Sequence, residues 1–123
     1  MAADRGSVGM SIASVNWMLN QLASTKLKLV RLYDDSGVEI VSHSGARQDQ
    51  DATWLPADGG HISLEASLRF EIPAGVTVAR IAFMDDVGFI VWESKDIPVS
   101  ERETYANNGL FDVTEAHATI SIL

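Results

Sequence analysis

Hydrophobic and polar residues alternate most regularly in HISLEASLRF, residues 61 to 70. Ile62, Leu64, Ala66, Leu68 and Phe70 fall on one side, with His61, Ser63, Glu65, Ser67 and Arg69 on the other. Side chains of a strand point to opposite faces in turn, so this spacing predicts one strand with a core face and a face that is wet or meets a partner. Shorter runs of the same kind surround it: KLKLVRLY, VEIVS, VTVARIAFM, FIVWES, YANNGLFDV and HATISIL, the last with Ala118, Ile120 and Ile122 on one face. DDSG, LPADGG, EIPAG and DDVG separate them as turn chemistry. The period changes once. Ile12, Val15, Leu19 and Leu22 recur at helical spacing behind Ser11, a residue suited to an N-cap, and predict a helix over about residues 11–23. Trp17 and Met18 widen its apolar face. Residues 1–10, MAADRGSVGM, are small, polar and glycine-containing and read as an arm. One helix followed by evenly spaced short strands predicts a mainly-β fold, an antiparallel β-sandwich or barrel with one short N-terminal helix, forming a single domain over 11–123.

Composition narrows the function. A chain of 123 residues with 46% hydrophobic and 21% charged residues has material for one core. It has no cysteine, which excludes disulfides, zinc thiolate sites and thiol catalysis. Net charge is −8 and the nine lysines and arginines are scattered, so no nucleic-acid partner is expected. Lys26, Lys28 and Arg31 are the densest basic group and read as the solvated face of a strand. No apolar run approaches a membrane span and the N-terminus lacks a signal pattern, so no membrane partner is expected and synthesis in the cytoplasm is.

Candidate chemistry is sparse. LYDDSGVEIV (32–41) and FMDDVGFIVW (83–92) share Asp-Asp-x-Gly. Clustered carboxylates suit calcium, but neither segment has the alternating acids and distant Glu of an EF-hand loop. A turn needs the same residues without any ion: aspartate accepts local backbone N–H groups, and Gly37 and Gly88 stand where a type I turn with a bulge wants positive φ. His43, His61 and His117 lack ligand spacing, and Ser42, His43 and Ser44 are neighbours in sequence only. Glu65 and Glu71 form a conceivable glycosidase pair, with Glu65 on the outward face of its strand. No nucleophile elbow, P-loop or dinucleotide fingerprint occurs. No catalytic residue, cofactor or metal site is therefore expected. Trp17 and Trp92 read as packing, whereas Trp54, flanked by polar and turn residues, reads as exposed or interfacial. The arc from Ile12 through Trp17, Met18 and Leu22 is wider than one contact needs, so Trp17, Met18 and Trp54 are the candidate interface residues.

A short helix, then KLKLVRLYDDSG, GARQDQDATW, DGGHISLEASLRFEIPAGVTVARIAFMDD and a closing TEAHATISIL resembles small virion structural proteins of tailed bacteriophages, of capsid decoration, minor capsid, minor tail or tail-fibre type. The likeness spans roughly residues 11–123, and FEIPAGVTV (70–78) is its most specific piece. It implies a non-enzymatic virion protein, with a capsid decoration or minor capsid protein as the leading expectation. A tail-fibre or baseplate module that binds a host receptor or glycan is the alternative; there Trp54 and Tyr105 would supply the aromatic surface. The implied partners are further copies of the chain, as a homo-oligomer and specifically a trimer, and phage capsid or tail proteins, reached through the arm and helix.

Overall fold

Ser11 opens the helix as its position predicts. In this computed structural model, which describes residues 11–121, its side chain accepts the N–H of Ser14 at 3.1 Å and starts helix α1, Ile12–Thr25. Val15 and Leu19 are the buried stripe of α1. Two asparagines on its polar side also hold it in place. Asn16 accepts the N–H of Gly60 and Asn20 that of Ala57, each at 2.9 Å, which ties α1 to the turn before the third strand.

Among the described residues eight strands follow: β1 Leu29–Asp34, β2 Gln50–Asp51, β3 His61–Ser63, β4 Leu68–Ile72, β5 Val78–Met84, β6 Val91–Asp96, β7 Gly109–Val113 and β8 Thr119–Ser121. Four form one sheet in the order β2-β1-β5-β6, while β3-β8 and β4-β7 are two-stranded ribbons, and every pairing is antiparallel. Val30, Leu32, Ile81 and Phe83 from the sheet share one core with Ile62, Phe70, Ile72 and Val113 from the ribbons and Leu19 from α1. The architecture is the mainly-β sandwich with one N-terminal helix that the spacing predicts.

Three local expectations are corrected. HISLEASLRF is not one strand. Its first part pairs with β8 and its last with β7, and the chain bends at residues 65–66 between these partners. Leu64 donates to Ala118 O and Glu65 to Thr53 O, so each backbone group there is claimed by a different segment. Ile62, Leu64 and Phe70 are buried as expected, but Ala66 sits exposed at the bend. VEIVS pairs only briefly with the end of β1, through a bridge at Glu39 and the bonds Asp34 N–H to Val38 O and Ile40 N–H to Leu32 O, before Ser42–Ala46 turns the chain out of the sheet. Arg31 is buried rather than solvated. It belongs to a central strand, whose second face is also covered. The expected arm, residues 1–10, and Ile122 lie outside the described residues.

The edges of the two layers differ. On β4, the side-chain amide of Gln48 accepts Glu71 N–H at 2.9 Å and donates to Glu71 O at 2.6 Å, standing in for a neighbouring strand. β6 ends its sheet with all six residues exposed.

Candidate functional site

Each Asp-Asp-x-Gly segment is a turn held by its first aspartate. Asp34 Oδ1 accepts the N–H of Ser36 and of Val38, both at 2.9 Å, and Gly37 has φ +78°. Asp85 Oδ1 accepts Val87 N–H at 3.3 Å and Ile90 N–H at 3.1 Å, with Gly88 at φ +82°. Asp85 Oδ2 also takes the indole N–H of Trp92 at 3.1 Å. That indole bond, above all, holds the Asp85 carboxyl below the usual carboxylate range against the opposing pull of burial, assisted by the two backbone donors and Lys26. The second aspartates, Asp35 and Asp86, are exposed. The first carboxylate of each pair is thus committed to N–H donors, the geometry of a turn. Among the described residues no group of three or more His, Asp or Glu is placed to hold a metal ion.

The second hairpin is one residue longer. Asp34 N–H bonds Val38 O, whereas Asp85 N–H bonds Ile90 O. The added residue is Phe89, at φ +54°, a conformation that costs an L side chain roughly 1–2 kcal/mol. Its ring lies 5.5 Å from the Arg31 guanidinium carbon and 5.4 Å from that of Arg47. Two such cation–ring contacts, worth about 0.5–1 kcal/mol each, are of the size needed to offset the strain. Arg31 donates to both oxygens of Asp49, at 2.8 and 2.7 Å, and Arg47 to both of Glu39, at 2.8 and 3.1 Å. Asp49 chiefly, and Glu39 more weakly, raise the proton affinity of Arg31 beyond its already high ordinary value. This cluster clamps the hairpin onto the outer face of β1.

The remaining candidates are engaged separately. His43 bonds Gly109 O through Nε2, its backbone N–H goes to Glu71, and Ser42 and Ser44 bond each other, so no nucleophile–base pair is assembled. Glu65 stands in the bend and Glu71 serves His43. His61 is exposed. His117 Nδ1 accepts Thr114 N–H at 3.0 Å, and burial, followed by nearby Lys95, lowers its proton affinity, with Glu101 opposing. Tyr105 lies half-buried over Gly109, where an added Cβ would collide with its ring, and its hydroxyl donates to Leu110 O.

The tryptophans reverse their expected roles. Trp54 is half-buried: its indole N–H donates to Leu27 O at 2.9 Å and its ring tilts against Phe83. The polar residues around it are the outward members of an irregular segment, and Trp54 itself bridges to Leu64. Trp17 is 64% exposed and Trp92 48%. Helix α1 lays its Val15–Leu19 stripe on the core, with Leu22 and Ala23 packed beside it, and its outer flank carries Trp17 and Met18 into solvent, while Ile12 is exposed at the N-terminal end of the buried stripe. Of the candidate interface residues, Trp17 and Met18 are therefore available on the surface, while Trp54 is committed to packing. A second apolar surface, missed in the sequence, comprises Val87, Phe89, Ile90, Val91 and Trp92. Its signal was the unbroken run VGFIVW, too apolar for one side of a hairpin to bury. No helix among the described residues is long and apolar enough to cross a membrane. In comparison with known proteins, no family model matches the chain, and no curated protein or solved structure matches it.

Proposed function

We propose that this chain is a non-enzymatic virion structural protein, a capsid decoration or minor capsid protein, that docks on the particle through the outer flank of α1. The observation that carries the docking role is the two-sided apolar character of that helix. Val15 and Leu19 are fully packed, yet Ile12, Trp17 and Met18 remain exposed on the same 14 residues. Tryptophan and methionine are enriched at interfaces, where one buried tryptophan often anchors the contact. The core closes without these side chains, as an attachment that folds before it docks requires. The net charge of −8 would keep free copies apart in solution. The virion assignment itself rests on the sequence pattern around FEIPAGVTV.

The test is a particle-binding assay with Trp17→Glu and Met18→Ser combined. The expected result is an unchanged circular dichroism spectrum and binding weakened by about thirtyfold or more, the loss typical of an anchor residue. Full occupancy of particles by the double variant would reject the α1 flank as the docking face.

A further inference from the structure

The open edge of the four-stranded sheet carries a charge order that is complementary to itself. Ile97 N–H donates to Ala79 O at 2.9 Å, in step with the pairing of Arg80 with Asp96. Backbone groups of a strand point alternately to its two sides, so those of Glu93 and Lys95 face β5, and those of Ser94 and Asp96 face outward. Consistently, Ser94 N–H is taken up by the carboxylate of Glu93 at 3.0 Å rather than by a strand. Two copies of β6 can pair antiparallel about a twofold axis in three registers that keep most of the strand. An axis at Glu93 sets glutamate against glutamate, and one at Lys95 sets lysine against lysine. An axis at Ser94 sets each Glu93 opposite the Lys95 of the other copy. These are non-hydrogen-bonded positions, where facing side chains approach most closely and opposite charges attract. The two Ser94 residues then exchange backbone hydrogen bonds. The same register sets the exposed Val91 of one copy opposite Ile97 of the other.

We propose that a second copy of this chain occupies the β6 edge, antiparallel about a twofold axis at Ser94, joining two sheets into one. The contact uses a different element from the α1 flank and does not depend on the virion reading, so the purified full chain tests it alone. Sedimentation should give twice the 13.3 kDa chain mass at high concentration. Glu93→Lys and Lys95→Glu should each weaken dimerisation by about tenfold, since each creates two like-charge pairs. The double variant, with the charges exchanged, should recover it. Ser94→Pro removes an outward N–H while sparing the ladder to β5, and should give a monomer with an unchanged circular dichroism spectrum. A wild-type monomer or trimer, a charge-exchanged chain as weak as its single parents, or a Ser94→Pro chain that still dimerises would each overturn the proposal.

Discussion

Phe70 and Ala66 occupied equivalent places in the sequence pattern, and the fold separates them. Phe70 is 1% exposed in the core, while Ala66 lies open at a bend. Phe70→Ala is expected to cost about 3–5 kcal/mol, the range for emptying a buried aromatic site, and Ala66→Ser about 0.5 kcal/mol or less. Urea unfolding of the two variants checks the assignment, and equal costs would restore the unbroken strand. At His117 the expectation concerns pH. The folded chain holds its imidazole below the ordinary value near 6.5, so the folded state binds fewer protons than the unfolded one. Its contribution to stability is complete above about pH 6.5 and is lost as the pH falls below that. Protonation at Nδ1 would also set a donor against Thr114 N–H. His117→Asn keeps an acceptor near that position without titrating, and is expected to flatten the fall in melting temperature between pH 7 and pH 5.

At the scale of elements, the 83–92 hairpin starts in the core at Phe83 and Met84, but its tip at Phe89 is held down by a charge cluster. Removing one member should therefore do more harm than removing the pair. Asp49→Ala leaves Arg31 in a largely buried place without its bidentate partner and is expected to cost about 2–3 kcal/mol. Arg31→Met combined with Asp49→Leu is expected to cost less, as compared by thermal melting. What was legible in the sequence divides along the same line. The helix could be read because its N-cap, its spacing and its buried stripe all lie within a few residues of one another. Both turns could be read because Asp34 and Asp85 bond N–H groups two to five positions ahead. The break in HISLEASLRF could not, because it is imposed by β7 and β8, some fifty residues further along the chain. The burial of Arg31 was hidden for the same reason: Asp49 is 18 residues away, and Phe89 reaches it only through the extra residue of the second hairpin.

At the scale of the whole molecule, the sandwich is closed around its core while two apolar surfaces stay outside it, the α1 flank and the tip of the β5–β6 hairpin. The first was visible as an excess of apolar residues over what the helix could bury, whereas the second left its mark in VGFIVW and was missed. On the helix the leftover residues Trp17 and Met18 could be named, but on the hairpin they could not, since that depends on how much of the element the opposite layer covers. One consequence is optical. The three tryptophans are distributed one to each region: Trp17 on the docking flank, Trp92 beside the open edge, and Trp54 against Phe83 in the core. Indole emission shifts to shorter wavelength when water leaves the ring. Chains that keep a single tryptophan would thus report attachment, self-pairing and unfolding as three separate colour changes, with no added dye.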